Sequence, residues 1–181
     1  MLFKNCIYLV IFITFILFIS GCTEEPYYYD SDPEIENLAY DKYSALIDLQ
    51  NKGKDLTNDA ILNYNIGEYS TAISLIQKAE QSNTQLNVEI EYFKAFIKNE
   101  YENGNVKKEN ADFYFKQCFE FEGYLEDNHQ FNIYLQKAAE SAKKRNINEA
   151  NRYLDLAMNS LSRGNEHIDR VNLNAEYYEY I

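Results

Sequence analysis

With 181 residues and 21.3 kDa, the chain has material for one domain or two very small ones, and its 46% hydrophobic content suits a packed core rather than disorder throughout. Acidic residues outnumber basic ones 29 to 17, a net charge of -12, which argues against nucleic-acid backbone binding and against adsorption to anionic headgroups. Six Gly and two Pro supply few tight turns, so long helices are favoured over a many-looped β-sandwich.

The first 21 residues stand apart. Lys4 is followed by a run from Cys6 to Ser20 without a charge, too short for a comfortable span of about 20 apolar residues. Ser20 and Gly21 then precede Cys22, and the next positions turn polar, as at the small-residue cleavage site of a secretory signal. Ile19-Ser20-Gly21-Cys22 resembles the lipobox of prokaryotic lipoproteins, with Ile where Leu is more usual. The resemblance covers only the first 22 residues. It implies cleavage before Cys22, a thioether-linked diacylglycerol on that sulfur, and an address on the outer side of a bacterial or archaeal cell membrane. An uncleaved signal anchor and a plain secretory signal with an incidental Cys are the alternatives.

Each buried acyl methylene contributes about 0.8 kcal/mol, so two chains hold a domain on a bilayer stably. The acidic body is repelled by an acidic membrane, which leaves the anchoring to the lipid on Cys22. Cys6 departs with the signal and Cys22 carries lipid, so Cys118 is left alone and stability rests on packing rather than a disulfide. Residues 22–32 read as a tether. Within it Tyr27, Tyr28 and Tyr29 suit either the headgroup level or a solvated linker.

From residue 33 to 181 the pattern is helical. Ser31-Asp32-Pro33-Glu34 is a helix start, with a capping side chain, Pro in the first turn and acids at the positive end of the dipole. Leu46, Gly53 and Ala60 interleave with Leu49, Leu56 and Asn63 at a period of 3.5, that of a bundle seam. Asn65-Ile66-Gly67 breaks the chain. Tyr69, Ile76, Asn83, Ile90 and Ile97 then interleave with Ala72, Ala79, Leu86 and Phe93, up to a second turn at Asn103-Gly104-Asn105. Ala111, Tyr114, Cys118, Phe121 and Leu125 continue to Leu135, Ala139 and Ala142, before a third turn placed at Asn146-Ile147-Asn148. The last helix carries Ala150, Leu154, Ala157, Leu161, Ile168, Val171, Ala175 and Tyr178.

Helices of about 35 residues joined by short turns form antiparallel neighbours, so the expected fold is all-α, an elongated up-down-up-down four-helix bundle made of two hairpins. A shift of 81 residues lays Asn65-Ile66-Gly67-Glu68 on Asn146-Ile147-Asn148-Glu149, as in an old duplication. Leu56, Ala60, Gly67, Tyr69, Ala72, Ile76 and Ala79 also resemble one tetratricopeptide unit. The family's closing proline is missing, Asn63 stands at its mid-helix aromatic, and no copy follows. A Gly turn between two Ala-containing helices produces this spacing by itself.

Antiparallel order gathers the aromatic residues of the first and third helix starts, and of the second and fourth helix ends, beside the tether. The opposite end is built from alanines, which let helices approach closely. A turn of 100° per residue leaves Phe113, Phe119 and Tyr124 off the seam of the third helix. With Tyr177 and Tyr180 they form the candidate surface for a partner or ligand, or else they fill a wide core.

Catalytic chemistry finds little support. Glu126-x-x-His129 has the spacing of a di-iron helix but lacks the second pair, since Gly164 stands three residues before His167, so no metal or other cofactor is expected. Asn63, Asn83, Asn128 and Asn132 lie at or near seams, where a buried amide fixes register or lines a polar pocket. The function expected is therefore a non-catalytic, lipid-anchored scaffold or adaptor of the cell envelope that binds a protein partner near the membrane and no nucleic acid. The alternatives are a carrier for a small apolar or cationic ligand in the aromatic end, and a short tetratricopeptide-like interaction module. The oligomeric state is left open.

Overall fold

The structure is a computed structural model that describes residues 31–178, with side chains through residue 175. The signal, the lipobox with Cys22, the tether up to Asp30 and Tyr180 lie outside the described residues. Four α-helices make up the fold: α1 (Pro33–Asn65), α2 (Tyr69–Glu102), α3 (Lys108–Lys143) and α4 (Ile147–Tyr178). At a rise of 1.5 Å per residue each is roughly 50 Å long. The fold is the all-α four-helix bundle expected, with no strand among the described residues. None of its helices is long and apolar enough to cross a membrane.

Local chemistry sets the boundaries. The Asp32 carboxylate accepts the Glu34 N–H at 2.9 Å, Pro33 opens the helix, and Glu34 and Glu36 sit in its first turn. The three interhelical turns close in one way. Glu68, Asn105 and Asn146 each donate their N–H to the carbonyl five residues back, and the residue before each is left-handed: Gly67 at φ 85°, Gly104 at 78° and Arg145 at 63°. The third reversal thus falls at Lys144–Asn146, not at Asn146-Ile147-Asn148. Ile147 and Asn148 already belong to α4, because Asn146 bonds Glu149 through its side chain and acts as the cap. Arg145 rather than Asn148 then matches Gly67, so the 81-residue superposition is out of step at the turn.

Left-handed backbone costs a side chain about 1–2 kcal/mol, part of which a more flexible unfolded glycine returns. Arg145→Gly is therefore expected to raise stability by about 0.5–1 kcal/mol, read as a melting temperature a few degrees higher. An unchanged or lower value would contradict the strain assigned to this turn.

The antiparallel order shows in bonds between elements. Asp32 N–H donates to the Asn105 carbonyl and Lys107 N–H to the Glu36 carboxylate, so the start of α1 meets the α2–α3 turn. At the other end Lys143 Nζ bonds Ser70 Oγ. Neighbours in sequence pack against each other along the chain, α1 also meets α3 over a short stretch, and no Cα of α1 lies within 8 Å of one in α4. The central member is α3, in contact with all three others and carrying the broadest buried face.

The core has two apolar parts. Beside the start of α1, Tyr43, Phe93, Phe113, Tyr114 and Phe121 pack with ring centroids 5.3–6.5 Å apart. At the far end Phe131 is the one fully buried ring, among Ala60, Ile76, Leu135 and Ala157, with half-buried Tyr64 and Tyr134 packed against them. Buried Ala72, Ala79, Ala138, Ala139, Ala142 and Ala150 line the same half, the segregation expected from antiparallel order. The tetratricopeptide-like residues Ala60, Ala72, Ile76 and Ala79 form buried seam positions of α1 and α2. Each of these helices is as long as a whole tetratricopeptide unit of about 34 residues, so the chain is built of rods, not short repeated pairs.

Candidate functional site

Three places in the described residues bear on function. The first is the aromatic set of α3, which the structure divides between the two outcomes expected for it, a surface and a wide core. Tyr124 is 3% exposed and Phe113 is half-buried, edge-on to Tyr43 and Tyr114. Only Phe119, 66% exposed, stands on the surface as expected. The side chain of Tyr177 and all of Tyr180 lie outside the described residues. A single stripe misplaces Phe113 and Tyr124 because α3 packs against three helices, which buries a sector much wider than one seam. The exposed rings are instead Tyr40, Tyr92, Tyr101 and Phe119, on α1, α2 and α3, all in the half that holds the start of α1.

The second place is a polar layer between the two apolar cores. Asn83 of α2 and Asn132 of α3 both donate through Nδ2 to Oδ1 of Asn128, at 2.8 and 3.0 Å, and Asn128 donates to the Tyr124 hydroxyl at 3.2 Å. Asn132 also reaches Glu80 at 2.7 Å, whose other oxygen lies 3.0 Å from His129 Nδ1. Gln50 of α1 faces the Tyr124 hydroxyl, Ser82 of α2 lies beside Asn83 opposite Gly53, and Thr57 is buried one turn beyond Gly53. Gly53 is required here, since a Cβ would stand 2.9 Å from Asn83 Oδ1. Burial, opposed by the Gln50 carboxamide, pushes the Tyr124 hydroxyl up to about 12, so it stays protonated. The seam asparagines Asn83, Asn128 and Asn132 thus meet, whereas Asn63 bonds the Asp59 carbonyl of its own helix. Gln50, Thr57 and Ser82 lie one residue off the expected seam positions Leu49, Leu56 and Asn83, so spacing did not mark them; in α1 the buried series runs through Gln50 and Thr57 and leaves Leu49, Leu56 and Asn63 half-buried.

The third place is a clasp between α3 and α4. Glu120 Oε2 lies 2.7 Å from His167 Nδ1 and 2.8 Å from Arg170 Nε, and Arg163 pairs with Asp127 at 2.7 Å. The far side of the imidazole faces Asp127, with Nε2 3.9 Å from its carboxylate. The ring lies directly on Gly123. Burial alone would raise the Glu120 carboxyl, but hydrogen bonds from Arg170 and His167 outweigh it and hold Glu120 below the usual carboxylate range. A lowered native value contributes stability above the unfolded value of about 4.3, which is lost as pH falls through the native one. Glu120→Gln is therefore expected to flatten the acid limb of a urea-unfolding series run from pH 6 to pH 3. Parallel limbs in the two proteins would contradict the clasp.

The remaining candidates separate from these places. Glu126 is exposed and His129 turns to Glu80, and among the described residues no three His, Cys, Asp or Glu side chains converge as metal ligands. Cys118 is 1% exposed, and burial pushes its thiol up to about 12, the setting of a small core hydrophobe. No family model matches the chain, and comparison with curated proteins and with solved structures finds no match either.

Proposed function

We propose that this chain is a lipid-anchored protein of the cell envelope, a non-catalytic scaffold or adaptor that holds a protein partner close to the bilayer through its tether-proximal half. The observation that carries this reading is the uneven distribution of exposed rings. Tyr40, Tyr92, Tyr101 and Phe119 all belong to the half where α1 begins, while exposed apolar side chains of the other half, such as Leu62, Ile66, Leu156 and Met158, are aliphatic. Aromatic side chains dominate the energetics of protein contacts, since they bring large area with little rotamer freedom to lose. Residues 23–32, extended to about 3.3 Å each, let the rod stand roughly 30 Å from a lipid on Cys22.

Two measurements test the reading. Mass spectrometry of the mature amino terminus is expected to find a diacylglyceryl Cys22, and an intact, unmodified signal would remove the anchor from the proposal. Photo-cross-linking from benzoylphenylalanine at Tyr92 and Phe119 in intact cells is expected to give one protein adduct of defined mass, absent when the probe is at Leu156. Adducts with lipid alone, or equal adducts from Leu156, would overturn the partner surface.

A further inference from the structure

The polar layer is incompletely bonded by the protein itself. Thr57 Oγ1, Ser82 Oγ, Asn83 Oδ1 and Asn132 Oδ1 are all buried and have no hydrogen-bond partner among the described residues, whereas the Gln50 carboxamide faces the Tyr124 hydroxyl. Turning the amides over does not cure this. Asn132 Nδ2 must face the Glu80 carboxylate, which holds Asn128 Oδ1 toward it and in turn Asn83 Nδ2, so rotating one amide or all three would set like atoms against each other. The open set consists of two acceptors and two hydroxyls, contributed by α1, α2 and α3. Apart from Glu80 at the edge of the layer it is uncharged, which excludes an ion as the natural occupant.

A small neutral molecule that both donates and accepts matches this set, and a water makes about three hydrogen bonds in such a place. We propose that the layer is a built hydration site in which about two long-lived internal waters bridge Thr57 and Ser82 to Asn83 and Asn132, exchanging with solvent past Glu80. The site joins the α1–α2 hairpin to the α3–α4 hairpin midway between the two apolar cores. Water here acts as a replaceable link in that contact, independent of the partner surface proposed above.

Oxygen-17 relaxation dispersion of water on the purified full chain tests this directly. The expected result is a dispersion amplitude corresponding to about two waters held longer than nanoseconds, reduced by half or more in Asn83→Leu/Asn132→Leu. Thr57→Val/Ser82→Ala makes a milder change of nearly constant shape and should also lower the amplitude if the leucine pair fails to fold. A wild-type chain without long-lived waters, or an amplitude untouched by the folded variants, would overturn the proposal.

Discussion

Phe131→Ala is expected to lower the unfolding free energy by about 3–5 kcal/mol, the largest effect of any single truncation in this chain. Phe131 is fully buried among Ala60, Ile76, Leu135 and Ala157, with half-buried Ile61, Tyr64, Leu75, Tyr134, Leu154 and Leu161 packed against that cluster from outside. Ala60 and Ala157 have no side chain with which to move into the space, and the larger flanking side chains are held at the margin, so much of the ring's volume remains as a cavity. Phe121→Ala, among Tyr43 and the other rings of the opposite core, leaves neighbours that can re-tilt into the gap and should fall toward the lower end of that range. Urea unfolding of the two variants checks both size and order. A loss below about 1 kcal/mol for Phe131→Ala would place this ring outside a packed core.

Gly123→Ala carries the second large effect, and its sign depends on one partner. In an ordinary exposed helix interior, Ala in place of Gly stabilises by about 0.8–1 kcal/mol. Here the added Cβ would overlap His167 Cε1 and stand 2.5 Å from both ring nitrogens. The imidazole must leave, and it takes with it a hydrogen bond to the buried Glu120 carboxylate. The single substitution should therefore destabilise by about 1–3 kcal/mol, as overpacking generally does. In a His167→Ala background the clash is gone, and Gly123→Ala should become stabilising by roughly the helix-propensity difference. A double-mutant cycle by thermal unfolding reads this inversion. The same sign in both backgrounds would mean that Gly123 does not serve as the seat of the ring.

Much of the fold was readable from spacing. Ile76, Asn83, Ile90 and Ile97 with Ala72, Ala79, Leu86 and Phe93 are all buried, as the 3.5-residue period of α2 predicts, because a long helix with two neighbours shows them one continuous stripe. Turns at Gly67 and Gly104 announced themselves by a residue suited to positive φ. The third did not, since Arg145 has no such signature and the Asn-rich segment after it pointed two residues downstream. The asparagines of the polar layer were visible as seam positions, but their meeting was not. Hydrogen bonds such as Asn83 to Asn128 join residues 45 apart and depend on the axial stagger of two helices, which no periodicity encodes.

The amino-acid sequence by itself settled four rods, their antiparallel order and which end holds the rings, because those follow from local periodicity and the shortness of the turns. Tertiary packing alone decided that α3 lies at the centre, which drew Tyr124 inside and left Phe119 out. It also set His167 onto Gly123. A helix records in its sequence that it has a buried face, but the width of that face depends on how many neighbours reach it. That number is a property of the assembled chain.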